Sequence, residues 1–598
     1  MSTVRTAAAK ASWGWTAARL LVELAAFAGL LFLTRFVARG HLISQMDQEC
    51  YIGGIGVDVL AHGVRFPLLT YAPNEYDNGS FLSGVFAAIS FALLGRSVLA
   101  LKLVTHFFSA AGAVATLWLL RGCLQELGLT SRLVRWAAGA TLVIALALAP
   151  RIVTLCSMYA VGNHAEGSAI DTLLLALFAR RLHARSAART MAFWALVGLA
   201  LYINKGTVLV IPVLGAVEIA LAWRSRRRLL AALGGFALGV LPELLVIAQR
   251  EGMGWATMVS KAERNSRAFP QSFIDALLFL GEYRIELLAA WALALCVGIT
   301  LLFRSVRRCR QADPAAAPPV NLGLAVGVTC LHLAALTVMA KGGLDAYEIY
   351  GYPTLVVLVS VMVASGCAHA VTRWGQGAGA VAGAVAIALT LAAYRPDAFT
   401  WNFGRVAALW RDQAGAACSW RFGEGFEREQ EYGLAPPGRS REQHAIARCR
   451  LLSEPVQVLD CIGGIARELN WRQGGKVDGA PPAELDADER RAYAYYYGTH
   501  RAGKSAPCRE FESPDLSADC VAAVQLECLL FADLYTRVIF GRDLGRPQCA
   551  VPEPPLDGIW AALRAELLTR AAGSGPNLTG DLMDKDFAAC QPVFEACY

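Results

Sequence analysis

Charge is scarce in this chain: 55 basic and 48 acidic side chains make up only 17% of its 598 residues, where a soluble protein carries about 25%. That shortfall excludes an ordinary water-soluble globular protein. Several catalytic signatures are missing as well. There is no Walker A loop, no Gly-x-Ser-x-Gly elbow and no His-Glu-x-x-His helix, which argues against P-loop, α/β-hydrolase and zincin chemistry. Histidines number nine and no Cys-x-x-Cys pair occurs, so a structural zinc site is a poor fit.

Long apolar runs take the place of charge. A block of about 18 apolar residues crosses the roughly 30 Å hydrocarbon layer as a helix. Such blocks recur near 17–38, 99–120, 134–150, 166–182, 190–204, 206–222, 229–248, 285–303, 321–340, 350–371 and 376–394. The expected fold is an all-α polytopic membrane protein with about eleven transmembrane helices (10–13), followed by a mainly helical tail. Arg5, Lys10 and Arg19 precede the first run. That run is too long for a signal-peptide core, so it reads as an uncleaved anchor.

Basic clusters set the orientation. They fall at Arg121/Arg132/Arg135, Arg180/Arg181/Arg185/Arg189, Arg224/Arg226/Arg227/Arg228 and Arg304/Arg307/Arg308/Arg310, in every second connection. Cytoplasmic loops accumulate Lys and Arg. The N-terminus is therefore expected in the cytoplasm, in a plasma (inner) membrane, with the tail outside. The +7 net charge belongs to these loops and is not read as a nucleic-acid signal. The parity requires that residues 80–95, apolar but short, lie in or dip into the outer interface rather than cross.

The expected domains are a membrane domain, 1–394, with an outer loop at 39–98, and an extracytoplasmic domain, 395–598. The tail holds Cys418, Cys449, Cys461, Cys508, Cys520, Cys528, Cys549, Cys590 and Cys597. Cysteine at this density in an exported domain predicts a disulfide framework, with connectivity open. Helical patterns run at 440–453, 456–470, 516–538 and 557–572, with Pro481-Pro482 in a loop.

Chemistry concentrates in the first outer loop, which carries Asp47, Glu49, Tyr51, Asp58, His62, Arg65, Glu75 and Asp77. A linker between spans needs only a few residues, so a long, acidic, aromatic loop points to function. A second polar cluster, Gly162-Asn-His-Ala-Glu166 with Asp171 a turn deeper, stands at the outer mouth of the fourth span. Ionisable groups in spans are costly and usually face a polar cavity. Asn163 and Glu166 also have the spacing of a helix capping box. His106, inside the second span, reads as an interhelical hydrogen bond.

Asp47-Gln-Glu-Cys-Tyr51, the stretch ending Gly-Val-Arg-Phe-Pro67, then Tyr71-Ala-Pro73 and Leu-Leu-Gly95-Arg-Ser resemble the opening of GT-C glycosyltransferases. The nearest branch is that of protein O-mannosyltransferases and lipid A aminoarabinose transferases. Tyr347-Glu-Ile-Tyr-Gly-Tyr-Pro353 resembles that family's aromatic-proline entry to a late span. The resemblance covers roughly residues 15–370. It implies transfer of a sugar from a polyprenyl-phosphate donor to an envelope acceptor at the outer face. Asp47 and Glu49 would be catalytic. Tyr51, Arg65, Glu75, Asp77, Asn163, His164, Glu166, Lys205, Lys341 and Tyr350 would bind substrate. A divalent metal on Asp47, His164 and Glu166 is the one candidate cofactor.

Two departures bear on the donor grip. The family often has Lys-Pro-Pro-Leu where this chain reads Asn74-Glu-Tyr-Asp-Asn78, and Arg-Tyr where it has Glu348 and Tyr350. Lys205 and Lys341 are candidate substitutes, although lysines at span ends also snorkel. Two other function classes stay open: a transporter or flippase, and a catalytically inactive scaffold. Transporters tend to show repeated halves, and no repeat is evident across these spans.

Overall fold

The computed structural model describes residues 18–38, 47–64, 80–129, 131–149, 151–158, 164–181, 186–223, 225–249, 285–312, 319–339, 354–373, 403–411, 440–452, 455–472 and 481–499, with a few single residues including Cys520. The described regular structure is helical. It comprises α1 (Ala18–Val37), α2 (Asp47–His62), α3 (Ser80–Leu94), α4 (Val98–Glu126), α5 (Arg132–Ala147), α6 (Arg151–Cys156), α7 (Ala165–Arg181), α8 (Ala187–Ile203), α9 (Ile211–Ala222), α10 (Arg226–Gln249), α11 (Ile285–Ala312) and α12 (Val320–Met339). After these come α13 (Thr354–Arg373) and α14 (Phe403–Arg411), α15 (Arg441–Cys449), α16 (Pro455–Arg472) and α17 (Ala487–Thr499).

Among the described residues, six helices are long and apolar enough to cross a membrane: Ala18–Val37, Val98–Glu126, Lys205–Ala222, Arg226–Leu245, Leu288–Arg307 and Thr354–Arg373. Ser80–Leu94, Ala187–Ile203 and Val320–Ala335 are apolar but shorter. The chain is a helical, multi-pass membrane protein. The expected span at 376–394, the tail helices at 516–538 and 557–572, and the rest of the expected tail cysteines beyond Cys449, Cys461 and Cys520 lie outside the described residues.

Local chemistry starts these helices where the hydropathy does. Ser97 caps α4 by accepting from Ala100 N–H at 3.1 Å. Ser131 caps α5 from Val134 N–H at 3.2 Å, and Ser186 caps α8 from Arg189 N–H. A helix leaves its first N–H groups without intrahelical partners, and a serine hydroxyl supplies one.

Glycines allow the closest packing. The Gly235–Gly239 pair on α10 and Gly198 on α8 bring the two backbones together. A methyl at Gly235 would fall on the Met191 carbonyl, and one at Gly239 on the Ala195 carbonyl. In lipid, where helices gain little from burying apolar surface, such small-residue seams carry association. At the other end of the described chain, α2 and α3 pack as a helical hairpin. A Cβ at Gly56 would stand 2.9 Å from that of Ala87.

Polar contacts tie helix ends together in two sets. One set holds Glu23 with Arg19 and Arg121, Arg181 and Arg228 with Glu218, and Glu126 with the Asn321 and Leu322 amides. The other set holds Arg35 with the Leu146 carbonyl, Ser83 with Glu166, Asp171 with Thr207 and Lys205 with Glu243. By these contacts α1 and α10 run one way through the bundle, and α4, α7 and α9 run the other.

The tail helices form their own core. Cys449 at the end of α15 is disulfide-bonded to Cys461 in α16, and Cys520 is also in a disulfide. Arg450 grips Glu489 through two contacts, 2.9 and 2.6 Å, and the Tyr496 hydroxyl donates to Asp460. That core is continuous with the one formed by α2, α3 and the start of α4: Ile446, Cys461, Ile465 and Tyr497 belong to the same buried cluster as Tyr51, Ile52, Ile55 and Phe91. The α17 helix was not expected from the pattern.

Candidate functional site

The second set of contacts gathers one group of buried ionisable side chains at one end of the bundle, against the α2–α3 hairpin. Asp47 opens α2. Two residues on, Glu49 has no exposed surface and both its oxygens accept from Lys102 Nζ, at 2.8 and 2.7 Å. Lys102 stands in the second turn of α4 and also approaches the Met158 carbonyl at 3.5 Å. A lone charge in that apolar setting would be very costly, so each partner makes the other tolerable. The next residues, Tyr51 to Asp58, are buried along α2, and Asp58 meets His62 a turn later at 3.1 Å.

The hairpin's other helix reaches the second polar cluster. Ser83 Oγ donates to Glu166 Oε1 at 2.8 Å. Ser168 N–H donates to the His164 carbonyl, so His164 takes the cap position of α7 and Glu166 is its second residue, with one carboxylate oxygen turned to Ser83; Asn163, the other half of the capping-box spacing, lies outside the described residues. A carboxylate at a helix N-terminus is favoured by the helix dipole. His164 is buried, and burial pushes its imidazole down to about 4, leaving it neutral at physiological pH. Neutral imidazole is the form that accepts a proton or ligates a metal.

A turn deeper, Asp171 Oδ1 accepts from Thr207 Oγ1 at 2.7 Å. Gly167 gives Asn204 room to lie against α7. Asn204 Oδ1 accepts from Gly206 N–H at 3.0 Å, while its Nδ2 makes no hydrogen bond among the described residues. Lys205 is buried, 4.0 Å from Glu243. Arg35, at the end of α1, is buried; only one of its nitrogens is engaged, by the Leu146 carbonyl at 3.3 Å, and its Nε and Nη1 make no hydrogen bond among the described residues. His106 Nε2 meets the Ala28 carbonyl at 2.8 Å, edge-on to Phe32 and Phe36.

Of the residues expected from sequence, Glu49, Tyr51, His164, Glu166 and Lys205 are placed here. Arg65, Glu75, Asp77, Asn163, Lys341 and Tyr350 lie outside the described residues, as does all but the backbone of Asp47. Among the described residues no three His, Cys, Asp or Glu side chains converge as a metal site would need. Lys102, Ser83 and Arg35 are functional-site residues that the sequence expectations do not include. Lys102 and Arg35 were visible as single cations inside apolar runs; nothing marked Ser83.

No family model matches the chain, and no curated protein matches it in sequence. Among solved structures it is similar to the oligosaccharyltransferase of Archaeoglobus fulgidus, crystallised with zinc and sulfate, at 15% identity and a TM-score of 0.40 over 72% of this chain. The chain spans only 59% of that protein's length. It is also similar to ArnT from Cupriavidus metallidurans. In the apo state the identity is 14% and the TM-score 0.36, covering 97% of this chain and 89% of ArnT. With undecaprenyl phosphate bound, the figures are 15% and 0.35, with 94% and 89% covered. At such scores no residue correspondence follows from them.

Proposed function

We propose that this protein is a membrane glycosyltransferase that moves a sugar from a polyprenyl-phosphate donor to a hydroxyl of an envelope acceptor. The observation that carries the reading is the anchoring of Asp47. The residue that resembles the family's catalytic aspartate begins a helix whose third residue, Glu49, is pinned by Lys102 in a wall of buried polar groups. A base must be held still to act, and α2 is held from below by an ion pair and from the side by α3.

In this scheme the Asp47 carboxylate takes the proton of the acceptor hydroxyl. The hydroxyl oxygen forms its bond to the anomeric carbon while the sugar–phosphate C–O bond breaks, and polyprenyl phosphate leaves with the electron pair. The donor phosphate needs cations. Arg35, with donors free among the described residues, joins Lys205 and Lys341 as candidates for that grip. Glu49, both of whose oxygens are engaged by Lys102, is assigned to positioning. Glu166, His164 and Asn204 face the acceptor side.

The wider scheme has eleven crossings, a cytoplasmic N-terminus, α3 in the outer interface, and a disulfide-rich domain, 395–598, outside the plasma membrane. Several features support it. With 15 residues, α3 is about 22 Å long, short of the hydrocarbon layer. The disulfide-bearing tail shares a core with the α2–α3 hairpin, and disulfides persist in oxidising compartments.

The test is mass spectrometry of envelope glycans and glycolipids from a deletion strain. Loss of one sugar, restored by the intact gene, is the expected result. An unchanged glycan profile with altered solute uptake would replace this reading with the transporter.

A further inference from the structure

The opposite end of the bundle carries a second site, unrelated to the polar cluster under α2. Between the start of α1, the last turns of α4 and the end of α7 lies a cavity of about 910 Å³. Its ionisable lining is Arg19, Arg121, Arg180 and Glu23. Glu23 Oε1 accepts from Arg121 at 2.8 Å and from Arg19 at 2.9 Å; Oε2 accepts from Trp118 Nε1 at 3.3 Å. One carboxylate thus organises two guanidiniums. The third, Arg180, pairs with no carboxylate among the described residues and instead lies flat over the Trp118 ring, 4.3 Å from its centre. Three arginines against one glutamate leave the cavity with a charge of +2.

The remaining lining is mostly apolar. Leu20 and Val22 of α1 border the cavity, and with Leu21 they are exposed apolar side chains at the start of a membrane-crossing helix. The opening therefore faces acyl chains as well as water. We infer that this cavity binds the phosphate head group of an anionic glycerophospholipid from the leaflet at the N-terminal end of α1, with Arg180 and Arg121 on the phosphate and an acyl chain along Leu20 and Val22. Planar guanidiniums match phosphate oxygens two at a time, and basic pockets between helices at a membrane face take such head groups. The volume is far larger than one inorganic phosphate requires and fits a head group with its glycerol. The inference does not rest on the glycosyltransferase reading.

The test is native mass spectrometry of the delipidated full-length protein in detergent, titrated with phosphatidylglycerol, phosphatidylethanolamine or inorganic phosphate. Retention of phosphatidylglycerol at least roughly tenfold tighter than phosphatidylethanolamine is expected, with a similar loss in Arg180→Gln, the size of one charge-assisted contact. An unchanged melting temperature of lipid-free Arg180→Gln shows that the loss is at the site. Glu23→Gln, which raises the cavity's charge, is expected to bind phosphatidylglycerol no more weakly than it binds the unaltered protein. Equal binding of the two lipids, or binding indifferent to Arg180→Gln, overturns the inference. So does displacement of the lipid by millimolar inorganic phosphate, which would make the site one for a soluble anion.

Discussion

Lys102 and Glu49, 53 positions apart in the chain, form a fully buried ion pair in which one ammonium serves both carboxylate oxygens. The pair fastens α2, and with it Asp47, to the first turns of α4. Removing one partner takes the neutralising charge from the other, and breaking a buried ion pair in this way costs about 3–5 kcal/mol. Lys102→Met should therefore destabilise the protein by that order, measured by unfolding in detergent. The double variant Lys102→Met/Glu49→Gln should recover most of the loss. If the double variant is as unstable as the single one, the pair is not what holds α2.

The α8–α10 seam gives a prediction of a different kind. Gly239 and Gly235 touch backbone carbonyls of α8, while Gly234 has nothing within 4 Å of where a Cβ would sit. Overfilling a packed seam costs about 1–3 kcal/mol. Gly239→Val should lower the melting temperature clearly, and Gly234→Ala should leave it nearly unchanged. Equal effects at both positions would remove the seam from the account.

How much of this was readable beforehand depends on the range of the interaction. Hydropathy acts within a few residues, so the long spans are legible directly in the sequence; the caps at Ser97 and Ser131 are as local, but no sequence expectation includes them. The Gly235-x-x-x-Gly239 spacing was equally local and was passed over. Lys102 could be seen as an anomaly, a cation in an apolar run. Its partner could not, because nothing local says which of the loop's carboxylates reaches it; the family resemblance by itself points to Glu49 as a catalytic group, and the structure pairs it with Lys102. Ser83 and Glu166 are 83 residues apart, and only the packing of α3 against α4 and α7 brings them together. Pairing of like-sided helix ends follows from the same long-range packing.

Disulfide chemistry tests where the tail resides. Cys449 and Cys461 are bonded. Peptide mapping of membranes alkylated before lysis should recover the two linked. Removing a native disulfide typically costs about 2–5 kcal/mol, so Cys449→Ser should make the tail sensitive to protease. Free, alkylated thiols at both positions would place the tail in a reducing compartment and reverse the proposed orientation.

His164 makes a prediction about pH. Its imidazole falls from 6.5 to about 4 on burial, so the unfolded chain binds the proton first as the medium is acidified. The stability it contributes is complete above about 6.5 and is lost progressively as pH falls from there to about 4. The melting temperature of His164→Asn should fall less steeply than that of the unaltered protein across this window. Identical slopes would contradict the burial of this group.

The central claim is transfer from a polyprenyl-phosphate sugar with Asp47 as base. Its most direct test is release of free polyprenyl phosphate, followed by lipid mass spectrometry, when purified protein meets an envelope lipid extract containing donor and acceptor. The account predicts steady release by the intact protein and a loss of at least roughly a hundredfold in Asp47→Asn, the usual weight of a general base. Equal release by both proteins would contradict the role of Asp47, and no release by either would contradict the transfer itself.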